Sequence, residues 1–486
     1  MSYLDLTLAD LHQALVAKKV TPLQLADEAL KRAKDNKENA FERFMESETF
    51  AIASALKEPE VNNPFWGIPF VIKDNFSTKG IETTGSSNIL NGYVPSFDAT
   101  VVAKLLAAHA VPIAKSTLDE LAMGGSGTTG HKGPTFNPFD PKHERMIGGS
   151  SCGSAVSVSA NIVPFALGSD TGDSVRKPAS FSGLVGFKPT WGRISRYGLF
   201  PFAPSLDHVG YFTRSVEDAA IALAIIAGPD IEDATSSHKP VEDYTRLLKK
   251  DIKGLKIAVI SEVIDSIHNK IVIAAFDQTL AALKKQGAIV SYVSLDKQML
   301  GTIFPTYLTL CCAESTSNNA NLDGIKFGPR YEGKTYQEVM QKARTAGFSE
   351  LIKRRFVIGS FALMRENQDV LFLRAQKNRR KIVDAVNAVL KDHDVIYLPA
   401  APGIAPKFSE SGDRLSDTYL IADNHLVLGN FAGLPSITIP IGFEDKMPFG
   451  SNVMGRAFEE ALVLQVAEKI ENATGYRNLS VKAVNL

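Results

Sequence analysis

Residues 148–192 read "GGSSCGSAVSVSANIVPFALGSDTGDSVRKPASFSGLVGFKPTWG". The stretch is crowded with serine and glycine and contains no histidine. A serine hydroxyl is a weak nucleophile until a neighbouring group takes its proton, so the segment raises the question of its base. One reading takes "GSSCG", Gly149 to Gly153, as a G-x-S-x-G elbow with Ser151 as nucleophile. "SAVSVSANI" supplies the helix that must follow, and His208, His268, His393 and His425 lie downstream as partners. That reading leaves the second serine-glycine element, "SDTGDSVR", without a task.

Outside this stretch, strand and helix patterns alternate. Around "TLADLHQALVAKKVTPLQLADEALKRAKDN" two helices are expected, the first capped by Thr7 and the second opened by Thr21 and Pro22. The short apolar run Ile68 to Ile72 in "PFWGIPFVIKDN" reads as a buried strand. "DATVVAKLLAAHAVPIAKSTLDELAM" reads as helix, strand, helix, and "GLKIAVISEVI", "KIVIAAFDQTLAALKKQG" and "AIVSYVSL" as strand, helix, strand. "DVIYLPAAP" and "LPSITIPIGF" are further strands, and "AFEEALVLQVAEKIENATG" is a closing helix. This alternation predicts an α/β fold with helices on both faces of a sheet. The polar stretch 231–244 is expected to be an exposed loop between halves.

Composition narrows the classes. The 486 residues are 44% hydrophobic and 22% charged, an ordinary globular balance. Length alone would accommodate about three domains, but no linker or repeat forces a cut. Lys+Arg and Asp+Glu both number 53, so the net charge is zero. A chain that grips nucleic acid itself usually carries a basic excess; any nucleic acid here is expected to be held by a partner. Cys152, Cys311 and Cys312 form no C-x-x-C pair, which argues against zinc. With no signal peptide and no membrane-length apolar run, a reducing cytoplasmic location is expected.

Two other motifs fail on context. "GSGTTG", 125–130, matches G-x-G-x-x-G but follows an apparent helix and precedes a Pro-rich loop, without the strand that a dinucleotide site needs. "SSHK", 236–239, matches S-x-x-K without its companion S-D-N and K-T-G elements.

The fuller pattern of "GIPFVIKDN", "GGSSCGS" and "GSDTGDSVRKPASFSGLVGFKPTWGRISRYGL" resembles the amidase signature family over nearly the whole chain. The resemblance implies an amidase-signature fold, a single domain spanning 1–486 with its signature core at about 60–220, built on a mixed twisted sheet. It also implies a Ser–Ser–Lys triad: Ser174 as nucleophile, Ser150 as bridging serine on a cis peptide bond, and Lys73 as base. Desolvation is the physical route by which a lysine with an ordinary pKa near 10.4 becomes such a base. The backbone N–H groups of Thr171, Gly172, Asp173 and Ser174 would form the oxyanion hole, with Ser174 near a helix start. Asp170 and Arg176 would be an ion pair that fixes the turn.

Within the family, "GRISRYGLFPFAPSLDHVGYFTRSVEDAA" and "NLDGIKFGPR" look like the glutaminase subunits of tRNA-dependent amidotransferases. By that resemblance Arg355 and Asp423 would clamp the glutamine α-carboxylate and α-ammonium, and Tyr307 would line the site; Arg354 is the one-residue alternative. No metal or cofactor is implied in this chain. The partners implied are the B and C subunits of the amidotransferase. ATP, magnesium and tRNA would belong to the B subunit, with the small C subunit as tether, and Glu-tRNA(Gln) or Asp-tRNA(Asn) would be amidated. Two departures stand out. Asp173 occupies a usual glycine, where a left-handed backbone with an outward carboxylate is expected, and Cys152 stands in the usual "SSGGS". Competing readings are a stand-alone amidase for a small carboxamide and a catalytically weakened structural subunit.

Overall fold

Successive side chains of a strand point to opposite faces of its sheet, so a strand buried at every residue is covered on both sides. In a computed structural model, which describes residues 2–410 and 421–484, that is the condition of most strands. The strands are β1 (Phe41–Phe44), β2 (Pro69–Lys73), β3 (Val111–Ser116), β4 (Phe165–Asp170), β5 (Val185–Lys188) and β6 (His208–Thr213). They continue with β7 (Lys256–Ile260), β8 (Ile289–Val293), β9 (Val395–Pro399), β10 (Ser436–Glu444) and β11 (Met447–Gly455). All join one sheet in the order β1-β3-β2-β4-β6-β5-β10-β11-β9-β7-β8. Strands β2, β3, β4, β5, β6, β9 and β11 are buried throughout, whereas the edge strands β1 and β8 are partly exposed.

The sheet is mixed. β2 runs parallel to β3 and β4, and β7 parallel to β8 and β9, while the centre from β4 through β6, β5, β10 and β11 to β9 is antiparallel. The helix Cys152–Ser159 packs on β2, β3, β4 and β6, and all of its residues are buried. This brings its N-terminus to the carboxyl ends of β2 and β4, where parallel strands open a crevice.

The expected N-terminal helices form as Leu8–Val16 and Pro22–Asp35. Thr7 Oγ1 accepts from Asp10 N at 3.1 Å, and Thr21 caps the second, with Pro22 at its first turn. The buried strand is shifted by one residue and ends on Lys73. One expectation fails: "STLDELAM" is not a helix. A single 3-10 turn spans Glu120–Ala122, interrupted by Leu121 at φ 50°. The cause is Asp119, whose carboxylate is claimed by another loop. The N–H groups of Ser126 and Gly127 donate to its Oδ2 at 3.0 Å, and those of Thr128 and Thr129 donate to Oδ1 at 2.9 and 3.0 Å. Side-chain bonds of this kind compete with helix. Residues 231–244 hold no helix or strand, and Ile231 is fully exposed, but the end of the loop is anchored: Arg193 donates to the carbonyls of Lys239 and Pro240 and to buried Tyr244. Among the described residues no helix is long and apolar enough to cross a membrane.

Candidate active site

The end of β2 delivers Lys73 into a fully buried position among hydroxyls. Its Nζ lies 2.8 Å from Ser150 Oγ, 2.9 Å from Ser151 Oγ and 2.9 Å from Ser169 Oγ. The peptide bond between Gly149 and Ser150 is cis. Burial drives the Lys73 pKa down to about 7, against the opposing pull of Cys152, Asp119, Asp170 and Asp207. The Cys152 thiol is itself pushed up to about 12 by burial, so near neutrality it is protonated and the carboxylates supply the opposing field. Its Sγ donates to the Thr117 carbonyl at 3.5 Å, so the unusual cysteine is a packed, weakly bonded thiol.

Asp119 holds the Ser150 segment from below. Its N–H donates to the Ser150 carbonyl at 3.1 Å. A Cβ on Gly149 would fall 2.0 Å from Asp119 Oδ2, so only glycine allows this approach. The "GSGTTG" loop therefore does cradle an anion, but the anion is a side chain of the same protein.

Ser174 follows β4 in the turn 171–174. The Ser151 N–H donates to the Ser174 carbonyl at 3.2 Å, which brings the two serine elements together. Ser174 is 4% exposed, and its hydroxyl bonds to no described residue. The Lys73–Ser150 half of the expected relay is thus formed, while Ser150 and Ser174 are not joined by a hydrogen bond. Catalytic hydrogen bonds commonly close only with substrate in place. Nor does Ser174 cap a helix: the helix Arg176–Phe181 starts after Val175. The backbone N–H groups of Thr171, Gly172, Asp173 and Ser174 donate to no acceptor among the described residues, which leaves a row of donors beside the Ser174 hydroxyl.

Arg176 fixes this turn. Its Nε and Nη2 reach Asp170 Oδ2 and Oδ1 at 3.1 and 2.9 Å, and Nη2 also donates to the Gly172 carbonyl at 2.7 Å. Both side chains are fully buried; Nη1 donates to the Leu426 carbonyl and to Ser436 Oγ, and Asn430 Oδ1 is a further acceptor of Nη2. Burial raises the Asp170 carboxyl, but Arg176, Lys188 and Asn430 together more than offset it, and it ends well below the usual carboxylate range. Asp173 does not take a left-handed backbone, and neither does Gly172, contrary to the sequence expectation. Glycine at 172 has a different reason: an added Cβ would lie 3.0–3.1 Å from the Tyr307 ring and hydroxyl.

Tyr307 and Arg355 come from two packed helices, Ile303–Asn318 and Glu350–Leu363. Arg355 points inward, with Nη1 3.7 Å from Cys311 Sγ and its guanidinium 5.7 Å from the Phe202 ring centroid. Its Nε is buried without a hydrogen-bond partner among the described residues. Arg354, the one-residue alternative, is exposed. Asp423 sits in the short helix Ile421–Asn424, and its carbonyl accepts from Lys177 Nζ at 2.7 Å. Lys177 in turn pairs with Asp173, so Asp423 is tied to the turn that carries Ser174.

The histidine-based elbow does not form. Ser151 Oγ is engaged by Lys73 and by the Ser169 carbonyl and N–H, and no histidine bonds to it. His208 is buried, with Nδ1 against the Leu206 carbonyl at 2.6 Å. "SSHK" lies in the loop 231–244, away from these groups. Ser169, Asn75 and Asp119 complete the site but were not singled out from the sequence; their only signal was position, beside Lys73 in "KDN", in "GSD", and ahead of the glycine loop. Among the described residues no cluster of three or more His, Cys, Asp or Glu side chains could hold a metal ion.

The chain is similar to known proteins over most of its length. The family model described as Amidase matches residues 24–464. The A subunit of glutamyl-tRNA(Gln) amidotransferase from Lactiplantibacillus plantarum is 42% identical over 482 residues, covering 98% of this chain and 97% of its own. That of Thermotoga maritima is 43% identical over 417 residues, 86% of each chain. The crystal structure of the Thermotoga maritima protein superposes with a TM-score of 0.80 at 37% identity, covering 99% of this chain and 98% of that one. A peptide amidase from Stenotrophomonas maltophilia superposes with a TM-score of 0.82 at 27% identity, with 97% of both chains covered.

Proposed function

The chain belongs to the amidase family, and on that premise we propose that it is the glutamine-hydrolysing A subunit of a glutamyl-tRNA(Gln) amidotransferase. Relatives of that name align along almost the entire chain. The observation that carries the substrate assignment is Arg355, a half-buried cation beside Tyr307 whose buried Nε lacks a partner among the described residues. Burying such a group without an acceptor is costly. A substrate α-carboxylate supplies the missing acceptor, with Asp423 as the counter-charge for the α-ammonium. An enzyme for simple carboxamides would have no use for this arrangement.

In this reading Lys73, neutral in its buried site, accepts the Ser150 proton while Ser150 accepts the proton of Ser174. A hydroxyl is donor and acceptor at once, so the bridging serine ends unchanged in charge. Ser174 Oγ bonds to the glutamine Cδ, and the carbonyl electrons move to an oxyanion held by the N–H row 171–174. As the intermediate collapses, the C–N bond breaks, and the proton on Lys73 returns through Ser150 to the leaving nitrogen, which departs as ammonia. Water then attacks the γ-glutamyl ester, giving its proton to the same relay; the ester C–O bond breaks, and Ser174 recovers its proton as glutamate leaves. The ammonia is used on a partner. The B subunit would hold the tRNA, ATP and magnesium, and the C subunit would tether the pair, in the cytoplasm. The chain's zero net charge suits a protein that does not bind tRNA itself.

The test is hydrolysis by the complex assembled with the B and C subunits. Glutamine should be hydrolysed, with Glu-tRNA(Gln) converted to the amide form, and propionamide should be a poor substrate. Equal turnover of both amides would replace this reading with a general amidase. Absence of turnover on either would leave a structural role in the complex.

A further inference from the structure

Resting on the assignment of Lys73 as the base, we infer that Ser151 and Ser169 are positioning residues that aim the Lys73 lone pair at Ser150. A neutral amine has two N–H donors and one lone pair, and Nζ meets three hydroxyl oxygens at 2.8–2.9 Å. Which hydroxyl receives the lone pair depends on where each hydroxyl proton already goes, since each has one proton and two lone pairs.

Ser151 has spent its proton. Its hydroxyl donates to the Ser169 carbonyl at 3.1 Å and accepts from the Ser169 N–H at 3.3 Å. Toward Lys73 it offers only a lone pair, so it takes one amine N–H. Ser169 Oγ also contacts the side-chain amide of Asn75 at 2.9 Å. If the Asn75 NH₂ donates, one Ser169 lone pair is used and the other remains for Lys73. If the amide is turned, the Ser169 proton goes to the Asn75 oxygen, and again a lone pair faces Lys73. Ser169 can thus take the second amine N–H in both orientations, on an Oγ lone pair or on its carbonyl, 3.4 Å from Nζ; with the Asn75 NH₂ donating, its own proton stays free. Ser150 Oγ is different: it bonds to no described group except Lys73. Its proton is uncommitted and the amine's lone pair is left for it, the arrangement a relay needs.

The two positioning serines are held on rigid elements. Ser169 lies in β4, paired with Val209 of β6, and Ser151 immediately precedes the buried helix Cys152–Ser159. Rotation of the amine away from Ser150 would turn its lone pair toward Ser151, a hydroxyl whose proton is already committed elsewhere, at the cost of a buried hydrogen bond.

The experiment measures kcat, KM and the pH profile of glutamine hydrolysis by the assembled complex carrying Ser169→Ala, Ser169→Thr, Ser151→Ala or Lys73→Ala. Ser169→Ala should lower kcat about tenfold or more, a fraction of the usual general-base contribution, with KM changed less than about twofold. The acid limb should move to lower pH, because the ammonium loses an acceptor while the charged and titratable neighbours Asp119, Asp170, Asp207 and Cys152 are unaltered. Ser169→Thr, which keeps the hydroxyl, should recover most of kcat. If Ser169→Ala does not assemble, Ser151→Ala carries the same expectations. An inactive Lys73→Ala combined with an unchanged kcat and acid limb in the serine variants would overturn this inference alone. An active Lys73→Ala would overturn the base assignment itself.

Discussion

The carboxylate of Asp173 meets Lys177 Nζ at 2.6 Å, four residues further along the chain. Burial lowers the Lys177 pKa, but Asp173 and Asp423 more than offset it, and the ammonium is held above its ordinary range. A charge at a usual glycine is thus neutralised by its neighbour instead of opposing the reaction. Asp173→Gly should change kcat by less than about tenfold, or 1.4 kcal/mol, and slightly lower the melting temperature, since glycine adds entropy to the unfolded chain. A rise in kcat beyond tenfold would mean that the carboxylate acts on the oxyanion after all.

The pH dependence follows from Lys73. The neutral amine is the active form, and burial brings its pKa to about 7. Activity should therefore fall as the pH drops through about 7, losing close to tenfold per unit below it, and should level off above. Lys73→Ala should be inactive at every pH, whereas His208→Ala, if folded, should keep the same acid limb. A limb that disappeared with His208 would assign the base to the imidazole.

Two serines are candidates for acylation, and their surroundings separate them. Ser151 is locked between Lys73 and the backbone of Ser169, while the Ser174 hydroxyl has no partner among the described residues. A glutamine-like electrophile should label Ser174, as read by peptide mass spectrometry, and Ser174→Ala should abolish labelling. Label on Ser151 would reverse the assignment.

Arg355→Ala should raise KM for glutamine about tenfold to a hundredfold, from loss of charge-assisted hydrogen bonds worth about 1.5–3 kcal/mol. Arg355→Lys should restore only part, because a point ammonium cannot reproduce the planar fork. Arg354→Ala, at an exposed position, should have no effect on KM. Equal KM values in Arg355→Ala and the parent complex would remove Arg355 from the substrate site.

Gly172→Ala places a Cβ 3.0–3.1 Å from Tyr307. It should lower kcat/KM, and combining it with Tyr307→Ala should cost less than the sum of the separate losses, since the two positions share one contact. Strict additivity would show that the glycine serves something other than Tyr307.

Several features were legible in the residues alone. Apolar runs bounded by Pro and Asn gave β2, alternating strand and helix patterns gave a covered α/β sheet, and Thr7 and Thr21 marked helix starts. Lys73, Ser150 and Ser174 were reached only through the resemblance of three motif blocks to a family, because residues 73, 150 and 174 share no local pattern. What tertiary structure decided is where protons and charges settle. The apparent helix at "STLDELAM" was lost because the Asp119 carboxylate is worth more as an acceptor for the distant loop 126–129 than as a helix residue. The Asp173 backbone, the reason for Gly172, the inward placement of Arg355, and the roles of Ser151 and Ser169 all depend on groups brought together from separate elements. Local propensity and periodicity report the backbone's own preferences. The pKa of Lys73 is set by burial, and the direction of its lone pair by hydroxyls 77 to 96 residues away in the chain, and only the folded sheet supplies both.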